Sequence, residues 1–376
     1  VARLRFVPTV LLLLDAVTRG APSQSLVSLI ITELSTHSPQ WGPGSDDITS
    51  LLGQEKQGPS SRWASGARET SWGERLALCG GNRAATQSPQ CFHLTGIVAQ
   101  ETHFENLKPF GQSYIAASYI KYLESAGARV IPIRIDLPKE EYVKMFNTIN
   151  GVLLPGGGVD LETSEYARVS KIFYDLAIVA NDRGDYFPFW GTCLGFEEMT
   201  VLTSGQLLLT RTDTDSISLA LNFTESALGS KLFQKMPPSL YEALSKKAIT
   251  ANFHSWSLSL QNYTANEKLG KFYNVLSTNS DGILEFVSTM EAYDYPFYGV
   301  QWHPEKNPFE WKKASVISHT AEAIQVAFYM ADFFVNEARK NLHQYSKEAE
   351  TAYPLIYNYC PTYTGNISAF EQIYFF

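Results

Sequence analysis

From residue 96 onward, short apolar runs alternate with stretches of helical periodicity, and few folds accommodate that rhythm. Strands buried on both faces read as nearly continuous apolar strings, and the helices between them let successive strands lie parallel. The expectation is an α/β domain with a doubly wound, mostly parallel sheet flanked by helices. Strands are predicted at 96–99, 130–135, 151–154 and 186–190, and helices over 113–126, 139–147 and 161–182. Gly127 is placed to end the first helix as a left-handed cap. Sites in such sheets are built at the carboxyl ends of strands. Attention therefore falls on Pro155-Gly156-Gly157-Gly158 and on Gly191-Thr-Cys193-Leu-Gly195, which follow the third and fourth of these strands.

The amino end has a different character. Residues 1–90 carry seven Arg, one Lys and four aromatics with no Tyr, whereas the rest carries six Arg, sixteen Lys and 45 aromatics. Two units are expected, 1–90 and a folded domain over 91–376. The text from 35 to 90 lacks periodicity and enough apolar surface to offset its ordering entropy. It reads either as disordered or as a misassigned stretch, and both stay open. Ahead of it, Arg3 and Arg5 precede an apolar run from Phe6 to Leu14 that resembles a secretory signal and is too short to span a bilayer. Three Asn-x-Ser/Thr sequons, at Asn222, Asn262 and Asn366, point the same way. Later segments offer no membrane span. Cys79 and Cys91 are candidates for pairing in an oxidising compartment, while Cys360 has no evident partner.

Composition also narrows the chemistry. The net charge of −8 provides no basic field for a phosphate backbone, so nucleic-acid binding is not expected. Without Cys-x-x-Cys or clustered histidines, no metal site is expected. The glycine run at 155–158 lacks the Gly-Lys-Ser/Thr ending of a phosphate loop, and no cofactor is expected.

A strand running into Gly191-x-Cys193-x-Gly195 and then a helix has the form of a nucleophile elbow. Flanking residues without Cβ let strand and helix approach closely around a strained turn. The helix amino end supplies amides and a positive dipole for the sulfur and for a reacting oxygen. A thiol nucleophile needs a base, and Gly299-Val-Gln-Trp-His303-Pro-Glu305 offers His303 with Glu305 two residues on. On an extended strand those two side chains share a face, so Glu305 is expected to orient the His303 ring.

Trp190 to Glu198 around Cys193, Tyr298 to Lys306 around His303 and Glu305, and Ala251-Asn-Phe-His254-Ser-Trp-Ser together resemble the gamma-glutamyl hydrolases of the class I glutamine amidotransferase-like superfamily. The resemblance runs from about Gly96 to the carboxyl end and takes in Tyr114-Ile-Ala-Ala-Ser-Tyr and Tyr363-Thr-Gly-Asn-Ile-Ser. It implies a catalytic domain that hydrolyses γ-glutamyl amide bonds of folylpoly-γ-glutamates through a thioester. Cys193 would be the nucleophile, His303 the base and Glu305 its orienter. Leu194 and Gly157 would form the oxyanion hole, and His254 would position substrate. A polyglutamylated folate or antifolate is the implied partner, with a secreted or lysosomal setting; a homodimer stays open. For work at acidic pH, the expectation is a resting thiolate–imidazolium pair of Cys193 and His303. A glutaminase subunit and a non-catalytic binding protein remain as alternatives.

Overall fold

The computed structural model describes residues 93–311 and 316–376. The signal-like start, the 35–90 stretch and the Cys79–Cys91 pairing lie outside these residues. In chain order, the amino-terminal half of the domain forms β1 (Leu94–Val98), β2 (Gln100–Glu101), β3 (Ser113–Ala116), α1 (Ala117–Ser125), β4 (Arg129–Ile133), α2 (Lys139–Phe146) and β5 (Gly151–Leu154). There follow α3 (Glu165–Asp182), β6 (Phe189–Thr192), α4 (Leu194–Ser204), β7 (Leu209–Leu219), β8 (Asn222–Phe223), α5 (Pro238–Lys246) and β9 (Thr250–Leu258). The chain continues through α6 (Leu260–Ala265), α7 (Glu267–Phe272), β10 (Tyr273–Ser280), β11 (Glu285–Ala292) and β12 (Phe297–Val300). It then forms α8 (Lys306–Phe309), α9 (Ala321–Ala338), α10 (Lys347–Ala352), β13 (Thr362–Tyr363) and β14 (Gln372–Phe375).

The central sheet has eight strands in the order β4-β1-β5-β6-β12-β11-β10-β8. The first five are mutually parallel and the last three join antiparallel, as the mostly parallel expectation requires. Every residue of β1, β5, β6 and β12 is buried, which is why these segments read as unbroken apolar strings. Helix α1 packs on α9, and α3 packs on α2 and α4, covering the sheet. Two smaller sheets border the same end, β13-β14-β3-β2 and the long ribbon β7-β9.

Local chemistry sets most boundaries. Ser164 Oγ accepts the Ala167 amide and starts α3, later than 161, because Asp160 takes the Glu162 and Thr163 amides in the preceding turn. Gly127 has φ +84° and closes α1 as expected. One expectation fails: 113–126 is not a single helix. Ser113–Ala116 is a strand because the carboxyl-terminal strand β14 pairs with it, Ile373 facing Ala116 and Phe375 facing Tyr114. That pairing comes from the far end of the chain and overrides the local helical pattern.

The crossing of β6 and α4 is tight. A Cβ on Gly195 would drive into the Leu154 carbonyl of β5, and one on Gly191 would stand 2.5 Å from the Gly195 carbonyl oxygen. Helix α4 also carries Glu197 and Glu198 inside. Gln301 Nε2 donates to Glu197 Oε1 at 2.9 Å, while among the described residues neither Glu198 oxygen has a partner. Burial pushes both carboxyls up to about 8. Such a group keeps its proton in the folded state where the unfolded chain has released it. The contribution of these two carboxyls to stability is therefore greatest at low pH and is lost as pH climbs toward 8.

Gly195→Ala should lower stability by about 3 kcal/mol, read as a drop in the urea midpoint; an unchanged midpoint would mean the crossing is not sterically fixed. Separately, the melting temperature should fall between pH 7 and pH 8, and Glu198→Gln should flatten that fall. A wild-type slope retained in the variant would remove Glu198 as its source.

Candidate active site

The functional side chains gather at the carboxyl ends of four adjacent strands. Gln100 lies just past β1, the glycine run past β5, Cys193 past β6 and His303 past β12. Since β4 lies on one side of β1 and β5 on the other, this is where the chain reverses its winding. A cavity of about 790 Å³ opens there, lined by Gly156, Gly157, Gly158, Cys193, His303 and Lys306 among others.

Cys193 caps α4 with φ +52° and ψ −110°, a conformation that costs a residue with a side chain of the order of 1–3 kcal/mol. Its amide donates to Val300 O of β12 at 2.9 Å, and its carbonyl accepts the Glu197 amide at 2.9 Å. The neck of the elbow is thus fixed to the strand that delivers His303. The Leu194 amide faces the sulfur. A Cβ on Gly156 would stand 2.8 Å from His303 Cε1 and 3.2 Å from Cys193 Cβ, so the two side chains meet over that glycine.

His303 Nδ1 is 2.7 Å from Glu305 Oε1, and both groups are buried. An ionised carboxylate only accepts, which assigns the proton to Nδ1 and leaves the Nε2 lone pair for the thiol. Among the described residues Nε2 has no partner. The extended-strand expectation needs correction. Strand β12 ends at Val300, and Glu305 lies in helical conformation, φ −69° and ψ −21°, as the cap of α8. Pro304 cannot donate to a ladder, and the chain turns there instead. The turn brings the carboxylate back to the ring, so the pairing holds although the geometry behind it differs. The His303 amide also donates to Ala251 O of β9 at 2.9 Å, and Phe253 meets the ring edge-on at 5.9 Å between centroids.

The oxyanion candidates sit as follows. Gln100, fully buried, donates from Nε2 to Gly156 O at 2.8 Å and accepts the Gly158 amide on Oε1 at 3.3 Å. Tyr119 Oη accepts the Gly156 amide at 2.8 Å and lies 3.3 Å from His303 Nδ1. Those bonds leave the Gly157 amide as the one on this run without an acceptor among the described residues. A Cβ on Gly157 would displace the Gln100 amide and with it the bonds to Gly156 and Gly158. Tyr119 closes the Tyr114-Ile-Ala-Ala-Ser-Tyr motif, whereas Gln100 belongs to no motif in the sequence. The end of the first strand, beside the winding reversal, is the signal that marks Gln100.

His254 is placed differently from its expected role. Its Nδ1 lies 2.9 Å from Thr214 Oγ1 and 2.9 Å from Trp256 O, and its Nε2 lies 3.1 Å from Asn252 Oδ1. Both nitrogens are thus engaged by protein groups, and burial lowers its pKa to about 4. The neighbouring Phe253 reaches the cavity, whereas His254, on the opposite face of β9, does not line it.

The electrostatics run against the ion-pair expectation. Burial pushes the Cys193 thiol well above its usual range; Glu197 and Glu305 add to this, and the Leu194 amide and Lys306 oppose it. Burial also lowers His303, against the opposing pull of Glu305. Glu305 is held below the ordinary carboxyl range: burial would raise it, but His303 and Lys306 outweigh that. Both shifts favour a thiol beside a neutral imidazole at rest.

Two of the three sequons are open. Asn222 and Asn366 are exposed, the latter at the cavity wall. Asn262 Nδ2 donates to Leu208 O at 2.7 Å and Thr210 Oγ1 at 3.2 Å, so the nitrogen a glycan would need is engaged. Cys360 is exposed with a free thiol. Among the described residues no helix is long and apolar enough to cross a membrane.

With this geometry in place, the likeness to known proteins is specific. The Peptidase C26 family matches residues 93–305. Gamma-glutamyl hydrolase of Homo sapiens is 57% identical over 283 residues, covering 75% of this chain and 89% of the relative. That of Bos taurus is 53% identical over 305 residues, covering 80% and 96%. Among solved structures, the glutaminase domain of Trypanosoma brucei CTPS with bound acivicin aligns with a TM-score of 0.44 and 14% identity, covering 68% of this chain and 98% of that one. On the family match and these identities, the chain belongs to the Peptidase C26 family.

Proposed function

We propose that this chain is a cysteine hydrolase of γ-glutamyl amide bonds and that its substrates are poly-γ-glutamylated folates and antifolates. One observation carries the reading. In a chain 57% identical to human gamma-glutamyl hydrolase, Cys193 on its elbow, His303 and Glu305 meet at one cavity beneath a glycine run. The sulfur attacks the γ-carbonyl carbon while His303 Nε2 takes the thiol proton. The developing oxyanion lies between the Leu194 and Gly157 amides; one such donor supplies about 2.7–4 kcal/mol. Collapse breaks the C–N bond, and the imidazolium returns its proton to the leaving amine. Water, deprotonated by His303, then cleaves the thioester and restores the thiol.

This route suits acidic surroundings. An imidazole near its ordinary pKa of about 6.5 would be largely protonated at pH 5, but burial holds His303 below that value, so the base stays available. We further propose passage through the secretory route to an acidic compartment. Support comes from this lowered base and from the exposed sequons Asn222 and Asn366.

Incubation with a pteroyl-penta-γ-glutamate should give shortened folates and free glutamate species by chromatography, while free glutamine is left intact. Cys193→Ala should lower kcat by about 10⁴-fold or more; retained turnover would remove the mechanism. The acid limb of kcat/KM should have its midpoint below pH 6.5. Glu305→Gln removes a charge that raises the His303 pKa, so it should slow turnover by about 10²–10⁴-fold and move that limb to still lower pH. A limb moving upward would show that Glu305 does not act on His303. Protein made in a eukaryotic secretory system should lose mass on N-glycosidase treatment. That shift should vanish when Asn222 and Asn366 are both replaced by Gln, although Asn262 remains.

A further inference from the structure

Two segments from opposite ends of the domain meet at the wall of the cavity. The loop between β2 and β3 contributes Phe104, Asn106 and Leu107, and the carboxyl-terminal strap between β13 and β14 contributes residues 365–370. Among the described residues, the large apolar side chains that are both exposed and on this wall are Phe104, at 48% exposure, and Ile367, at 37%. One exposed apolar side chain calls for no explanation. Two of them on one cavity, from segments so far apart in sequence, do. Asn106 Nδ2 donates to Ile367 O at 2.5 Å and ties the loop to the strap.

Both supports are anchored. The Phe104 carbonyl accepts the Leu107 amide at 2.9 Å and the Lys108 amide at 3.2 Å, so Phe104 heads a closed turn. Leu107, 1% exposed, fastens that turn in an apolar cluster with Tyr114 and Ile373. The His103 ring packs on Phe104 at 3.8 Å between centroids, and a Cβ on Gly158 would stand 3.3 Å from His103 Nε2. The loop thus adjoins the glycine run that meets Cys193. The strap closes on itself, the Thr364 amide donating to Glu371 O and Thr364 Oγ1 to Phe370 O, each at 2.9 Å. The buried Glu310 accepts the Glu371 amide at 2.7 Å, β14 pairs with β3, and the Phe370 ring centre lies 4.4 Å from Nζ of the buried Lys306. A ligand group entering between Phe104 and Ile367 therefore meets backbone that is already ordered.

We propose that Phe104 and Ile367 form an apolar subsite for the flat aromatic head of the substrate and set a preference for glutamyl chains that carry one. The inference deepens the folylpoly-γ-glutamate reading and rests on it. A γ-glutamyl chain bears a carboxylate and an amide at every residue, and neither group gains from an apolar wall. The pteroyl rings do gain, because they leave water against Ile367 and stack on the face of Phe104. Since the subsite opens on the cavity that holds Cys193, the head reaches it when the bond under attack is close to the head.

The test compares pteroyl-γ-glutamyl-glutamate with N-acetyl-γ-glutamyl-glutamate on the full chain; the second compound keeps the scissile bond and every carboxylate but lacks the rings. Wild type should favour the pteroyl compound by about 10- to 100-fold in kcat/KM. Phe104→Ala should lose about 10-fold on the pteroyl compound and much less on the acetyl one. Phe104→Tyr keeps the ring and should keep the preference. Ile367→Ala, on the other segment, should show a smaller loss in the same direction, and it carries the comparison if Phe104→Ala does not fold. Equal wild-type rates on the two compounds would overturn the proposal. So would a preference that survives in both alanine variants, or variants slowed by one factor on both compounds, which is what a structural role gives. Failure of wild type to cleave either compound would defeat the γ-glutamyl reading instead, and is thereby told apart from failure of this inference.

Discussion

The close passage of α4 over β6 and β5 is the constraint on which the site depends. With Gly195 against the Leu154 carbonyl and Gly191 against Gly195, the chain has no room for Cβ atoms on either side of Cys193. The turn this forces holds Cys193 at φ +52°. That conformation points one amide at Val300 of β12 and turns the next, on Leu194, toward the sulfur. The proposed nucleophile, the proposed oxyanion donor and the strand that carries the proposed base are thus placed by one steric event. The strain is sustained by the surrounding sheet, whose strands are buried on both faces.

Closing the site in this way fixes its electrostatic character. A thiol and an imidazole shut away from water both favour their neutral forms, because desolvation penalises charge of either sign. Glu305 counteracts this at the ring, and Lys306 and the Leu194 amide counteract it at the sulfur. Glu197 would weigh against the thiolate, but with its own pKa near 8 it is protonated at acidic pH and carries no charge there. Acidification therefore removes an obstacle to thiolate formation in the same range in which the lowered His303 still accepts a proton.

The parallel sheet was legible because strands buried on both faces must be apolar throughout, and each can be read from a few consecutive residues. The elbow was legible for a similar reason: its two glycines answer to a clash within five residues of chain. Features set by distant partners were not. Ser113–Ala116 is a strand only because β14 lies beside it. The side of β9 that faces the cavity is decided by its pairing with β7, so Phe253 and His254 exchange the importance their residue types suggest. His303 and Glu305 were correctly paired in sequence through a strand that does not extend so far. Two residues on can mean the same strand face or the two ends of a tight turn, and the sequence distinguishes these only through Pro304. Lys306 stood in the same motif, yet its enclosure depends on Phe253 and Phe370, some fifty and sixty residues away in sequence.

The net charge of −8 and the polyanionic substrate proposed for this chain present an apparent contradiction. Distance and dielectric resolve it. Charges spread over the surface act through water and salt, and beyond about 8 Å at physiological ionic strength they are largely screened. A buried ammonium at the cavity wall is not screened in this way, and its interaction with a carboxylate at 4 Å is roughly four times stronger at an effective dielectric near 20 than in bulk water. The rings of Phe253 and Phe370 strengthen the effect by excluding solvent from Lys306. A cation enclosed at the cavity wall is therefore compatible with a negative surface, which sets solubility and the rate of encounter. The overall charge and the ligand's charge are decided at different ranges, and they need not agree in sign.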